Sequence, residues 1–182
     1  MASSLEKLVA SHGVTIDWRS FELRPREAPP ISPEYREKIM AGRPRLYAIA
    51  KEQYGLDLNQ GPWGIDSRPA LIGAKYAEAQ GVGPAYHDGV LHAYWHEAKN
   101  IGETEVLVAI AEAAGLEREA FLAALVDPTW EEAVLGDVAT AHGYGINGVP
   151  ALVFQDKYLV SGAQPHAVLT QVVEQIQAEE AG

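Results

Sequence analysis

The sequence predicts an α/β domain carrying a large all-helical insertion, and three stretches support that reading. Near the C-terminus, Val149-Pro150 precedes a short apolar run, Ala151 to Phe154, then a polar connection at Gln155-Asp156-Lys157 and a second run from Tyr158 to Val160. Two apolar runs joined by a tight polar connection read as a β-hairpin. Proline has no N–H to give to a ladder, so it is tolerated at the first residue of a strand. Near the N-terminus, Val14, Ile16 and Trp18 alternate with Thr15, Asp17 and Arg19, the period of a half-buried strand. Between these, residues 26–127 show helical spacing broken by glycines and prolines. We therefore expect residues 1–25 and 128–182 to form the α/β domain and residues 26–127 the insertion.

From the front, Leu5, Leu8, Val9 and His12 share a helical face. Ser3 and Glu6 have the spacing of a capping box, and Gly13 ends the segment. The strand expected over Val14 to Leu23 changes phase, its apolar residues moving to Phe21 and Leu23, which predicts a bulge or bend near Arg19-Ser20. Ser32 then caps a helix with Pro33 as its first residue, and a second helix is expected to start near Pro44 and stop at Gly55. Leu56 to Ile65 has no period and reads as a loop anchored by Trp63. Helices follow at about Arg68–Gln80, Pro84–Glu97, Glu103–Ala114 and Glu117–Val126, with another from Pro128, capped by Asp127, to His142. After the hairpin, Ser161-Gly162 breaks the strand and Pro165 opens a helix carrying Val168, Leu169, Val172, Val173 and Ile176 at helical spacing. No repeat of 20 to 50 residues competes with this reading.

Composition narrows the function classes. Hydrophobic residues make up 47% and charged residues 21% of the 182 positions, enough apolar material for a packed core. The 25 acidic residues against 14 basic ones give a net charge of −11, which opposes the phosphate attraction that nucleic-acid binding requires. No window approaches the ~18 apolar residues of a membrane span, and the N-terminus lacks the basic and apolar regions of a signal peptide. The expectation is a cytoplasmic protein with neither nucleic-acid nor membrane partner. The absence of cysteine removes disulfides, thiolate metal sites and thiol nucleophiles together.

Few residues suggest chemistry by spacing alone. Asp88, His92 and His96 can share one helical face, as a metal site would need, but Tyr86, Val90, Leu91, Tyr94 and Trp95 mark that helix as a packing element, and no metal is assigned. His12, His87, His142 and His166 stand alone in the sequence. Gly143-Tyr-Gly-Ile-Asn-Gly148 has suggestive glycines but follows a helix, the wrong context for a nucleotide loop. Glu103 and Glu105 favour the dipole of the helix they open.

Gly148-Val149-Pro150 ahead of the hairpin and Ser161-Gly162-Ala163-Gln164 after it resemble the C-terminal half of a thioredoxin fold. More narrowly, they resemble the DsbA-like family and its cytosolic FrnE-like branch. Ile16-Asp-Trp-Arg-Ser-Phe-Glu-Leu-Arg-Pro25 resembles that family's second strand, and Ile101-Gly102 through Ala114-Gly115-Leu116 its helical insertion. The resemblance implies a thioredoxin-like fold whose N-terminal strand is missing from this chain. The first helix is then either free-standing or the rear of a longer one. It also implies a cis Val149–Pro150 bond, with Gly148, Val149 and Pro150 lining the cleft for a thiol or extended peptide substrate, held by strand addition and without a cofactor.

The family's redox centre is a Cys-x-x-Cys at a helix N-terminus, where the dipole lowers the thiolate pKa. With no cysteine, the catalytic residues stay unassigned and the expectation is a redox-inactive relative. Two alternatives stay open. One is a glutathione-dependent isomerase or transferase resembling 2-hydroxychromene-2-carboxylate isomerase, with Ser3 or Ser4 in the thiol's place; the other is a non-catalytic peptide-binding module. An open slot in the sheet is expected to be filled by a segment absent from this sequence or, as second choice, by homo-oligomers paired through the exposed edge. The third possibility is that its two neighbours close up and pair directly.

Overall fold

The computed structural model describes residues 2–59 and 61–180. In order the elements are α1 (Ala2–His12), α2 (Pro33–Tyr54), α3 (Arg68–Ala79), α4 (Gly83–Trp95), α5 (Thr104–Ala113), α6 (Arg118–Ala124), α7 (Pro128–Gly143), β1 (Ala151–Phe154), β2 (Tyr158–Ser161) and α8 (His166–Glu180). This is the content expected of the thioredoxin-like fold: mostly helical, with a small two-stranded sheet. Packing divides the chain into residues 1–19 with 141–182, and residues 20–140. No helix of the described residues is long and apolar enough to cross a membrane.

In the first unit, α1 packs on α8 through Leu5, Leu8, Leu169 and Val173, which are buried. β1 and β2 are antiparallel, with Ala151 opposite Ser161, Leu152 opposite Val160, and Phe154 opposite Tyr158. Because side chains alternate along a strand, Leu152, Phe154 and Val160 fall on one face, and all three pack against the helical pair. Lys157 N–H donates to Phe154 C=O at 3.0 Å, and Gln155 and Asp156 both take φ 53° to close the turn.

The second unit is built around α3, α4, α5 and α6. Its core includes Ala77, Tyr86, Leu107, Val108, Ala111 and Phe121, all fully buried. Gly73 on α3 is the point of closest approach. A Cβ there would overlap Tyr86 Oη and lie 2.8 Å from Phe121 Cζ, so only glycine lets those two rings in. The rings themselves are tilted at 49° with centroids 5.6 Å apart, an arrangement aromatic pairs favour.

The expected strand over Val14 to Leu23 does not form. Val14 and Ile16 do pack, on the α1/α8 core, but among the described residues no strand lies beside them, and a strand exists only by its ladder. The phase change after Arg19 also differs from the expectation. Leu23 is 66% exposed, and the buried residues are Ser20 and Glu22. Ser20 N–H donates to Asp137 Oδ2 at 2.9 Å, and Glu22 takes a two-pronged hydrogen bond from Arg68 at 2.7 and 2.8 Å. A buried carboxylate needs such a partner. Glu131 adds a contact to Arg68 at 3.2 Å, and hydrogen bonding to Glu22, against the cost of burial, holds the Arg68 guanidinium far above its ordinary pKa. Burial would lower the Lys75 ammonium, but its hydrogen bonds to Asp137 and Glu78 raise it. These side chains attach Ser20–Glu22 to α3 and α7. The sequence drew its boundaries at 25 and 128; packing draws them at 19/20 and 140/141.

Three further differences concern helix ends. Residues 33–54 form one helix with Pro44 inside it, not two. Pro44 deprives the Met40 carbonyl of its donor, but Ser32 caps the start by accepting from Tyr35 N–H at 3.2 Å, and Gly55, left-handed at φ 68°, closes the end on Ala50 and Lys51. Trp63 also engages Arg36 and Arg43, which precede Pro44 by eight residues and one. Ser161 belongs to β2, and Pro165 precedes α8, its carbonyl accepting from Val168 at 3.1 Å. Helix α1 already includes Ser3, so Ser3 does not stand before the first turn; its side chain lies outside the described residues.

Two sets of variants test this packing. Gly73→Ala is expected to lose about 1–3 kcal/mol by overpacking, read from the denaturant midpoint. Among the described residues Tyr86 Oη has no hydrogen-bond partner, and burial raises its pKa. Tyr86→Phe is therefore expected to be neutral or stabilising by up to ~1 kcal/mol, and combined with Gly73→Ala it should return part of the loss. A simple sum of the two single effects would contradict the proposed contact. Glu22→Leu alone leaves Arg68 buried with weaker partners and should lose about 3 kcal/mol, whereas Glu22→Leu with Arg68→Met should recover most of it.

Candidate functional site

Pro150 lies at the open end of the hairpin. The register that sets Ala151 opposite Ser161 brings Gly162 beside Pro150, and Gly162 N–H donates to Pro150 C=O at 2.8 Å. Gly162 takes φ 80°, a conformation that favours glycine. The Val149–Pro150 peptide bond is cis. The preceding loop is held by Asn147 Nδ2 donating to Gly145 C=O at 2.9 Å, and by Ile146 N–H donating to Ala141 C=O at the end of α7. Tyr144 Oη donates to Asp156 Oδ1 at 2.9 Å, tying the loop to the hairpin turn; this bond raises the Tyr144 pKa.

The result is a cavity of ≈ 360 Å³ lined by residues 145–150 with Ser161 and Gly162. Gly148, Val149 and Pro150 are brought together there. Val149 is 55% exposed, and among the described residues neither its N–H nor its C=O enters a backbone hydrogen bond. An N–H and a C=O left free in a loop are what an extended chain pairs with. The cavity contains no side chain that titrates near neutral pH and no nucleophile other than the Ser161 hydroxyl, so its geometry supports binding. Sequence reasoning did not assign Ser161 and Gly162 to the cavity. The signal for them is the register, which a hairpin of two four-residue strands fixes only once its turn length is known.

The other candidates lie elsewhere. Ser4 is 6% exposed, with its side chain committed to the interior. The His92 and His96 rings stack with centroids 5.1 Å apart, and no group of three or more metal-ligating side chains forms among the described residues. His12 and His166, isolated in sequence, both approach the Ser11 hydroxyl. Ser11 Oγ is 2.7 Å from His12 Nδ1 and 3.5 Å from His166 Nε2, and His12 Nε2 is 3.8 Å from Glu174 Oε1. Burial lowers the His87 pKa, an effect partly offset by Asp88 and Glu78.

Residues 1–174 match the family of DSBA-like thioredoxin domains. The uncharacterized protein YwbO of Bacillus subtilis is 26% identical over 169 residues, covering 88% of this chain and 82% of YwbO. A probable DsbA oxidoreductase from Streptomyces coelicolor superposes with a TM-score of 0.83 at 30% identity, over 98% of this chain and 83% of that one. A 2-hydroxychromene-2-carboxylate isomerase superposes with a TM-score of 0.77 at 26% identity, over 97% of this chain and 88% of the isomerase. The family match spans the hairpin, Pro150 and all of the helices but the end of α8, and the chain belongs to the DsbA-like thioredoxin domains.

Proposed function

We propose that this chain is a FrnE-like, cytoplasmic member of the family that holds an extended peptide or thiol substrate at Gly148-Val149-Pro150, and that these 182 residues carry no thiol–disulfide exchange of their own. The observation that carries the proposal is the unused backbone of Val149 at the mouth of a cavity lined largely by backbone and small side chains. Strand addition fits such a surface, because main-chain hydrogen bonds supply affinity without demanding particular side chains. Exchange requires a thiolate, and the sequence contains no cysteine.

A second reading, a glutathione-dependent isomerase, is favoured by the likeness to 2-hydroxychromene-2-carboxylate isomerase. The burial of Ser4 weighs against it. Calorimetry with glutathione separates the two, since tight binding belongs to the isomerase.

Insulin reduction by the purified chain is expected to equal the buffer blank. An extended peptide should bind, and N-methylation of the one amide that pairs with Val149 should weaken it about tenfold, the value of one hydrogen bond of ~1.4 kcal/mol. Equal binding of the methylated and unmethylated peptides at every position would overturn strand addition. Reductase activity that persists through repurification would overturn the inactive assignment.

A further inference from the structure

Residues 20–140 contain a second cavity, ≈ 440 Å³, where Arg24, Arg26 and Arg36 meet Trp63, Pro30 and Ile65. Its volume falls within the range of small-molecule sites. Trp63 organises the cations. The guanidinium carbon of Arg36 lies 5.0 Å from its ring centroid and that of Arg43 4.5 Å. The two arginines are seven residues apart on α2, and therefore on one helical face.

The charges here do not balance. Asp66 is the one carboxylate among the cavity residues, and it is already committed, accepting from Arg26 Nε at 2.9 Å and from Arg68 N–H at 3.0 Å. Arg24 donates to the Pro29 carbonyl. Neither Arg36 nor Arg43 has a carboxylate partner among the described residues. In a chain with a net charge of −11, carboxylates are plentiful, so unpaired guanidiniums gathered on one tryptophan form a local field of the opposite sign to the whole. A guanidinium offers a planar fork that matches a carboxylate, and it keeps its charge at any physiological pH. The remaining walls, Pro30, Ile65 and the indole, are apolar.

We propose that this cavity binds an organic anion: a carboxylate on a flat apolar body, with Arg36 and Arg24 holding the charge and Pro30, Ile65 and Trp63 packing against the body. The Pro150 loop takes no part in it, so the two proposals stand or fall separately.

The test uses the whole chain and naphthalene-2-carboxylate, followed by calorimetry. Saturable binding is expected, weakening as salt is raised. Naphthalene-2-carboxamide, of the same shape without the charge, should bind at least about tenfold more weakly, and Arg36→Gln should weaken the carboxylate by a similar factor. Trp63→Leu should weaken both probes. The carboxylate-to-carboxamide comparison needs no variant, so it decides the matter even where a substitution disturbs the loop. The proposal is overturned by no saturable binding below ~5 mM, by equal affinity for the two probes, or by undiminished binding to a folded Arg36→Gln protein.

Discussion

The buried ion pair between Glu22 and Arg68 is the constraint on which the helical unit depends. A carboxylate and a guanidinium taken out of water are stable only when each satisfies the other, and the two-pronged contact at 2.7 and 2.8 Å does so. Once made, it fixes where the chain runs after Arg19. Ser20 N–H turns to Asp137, Lys75 joins the same carboxylate at 2.8 Å, and Glu131 completes the arginine. Ser20–Glu22 is thereby fastened through side chains to α3 and α7.

Behind that attachment the helical core relies on a missing side chain. Gly73 lets Tyr86 and Phe121 reach α3, and the close packing that follows leaves Tyr86 Oη without a partner among the described residues. Helix α2 is different in kind. Only Ala50 on it is buried, and it runs through Pro44 with support from a cap at each end and the ring of Trp63. The unpaired arginines lie on this exposed helix, where a charged group keeps its hydration until a ligand displaces it.

At the hairpin, the shape of the loop cavity follows from register. Pairing Ala151 with Ser161 sets Gly162 against Pro150, which closes one side of the loop cavity and leaves Val149 exposed, its N–H and C=O in no backbone hydrogen bond among the described residues. The surface is built from backbone geometry and small residues, and so suits recognition of a chain by its main-chain groups.

Local patterns determined much of this. The hairpin, Pro150 at its entry, the caps Ser32 and Asp127, and the helices from Arg68 to His142 were legible because turn chemistry and 3.6-residue spacing act over a few residues. Gly148-Val149-Pro150 became a candidate site only through the resemblance to the family's motif. What the sequence could not decide depended on residues far apart in it. Whether Val14 to Leu23 is a strand depends on a neighbouring ladder, and Glu22 is buried because Arg68, 46 positions away, receives it. Pro44 stays inside a helix because capping and Trp63 offset its cost, and Ser161 joins the cavity because the turn sets the register. Each of these was settled by a partner that only the tertiary structure supplies, since a hydrogen bond or ion pair depends on distance in space and leaves no periodic mark in the sequence.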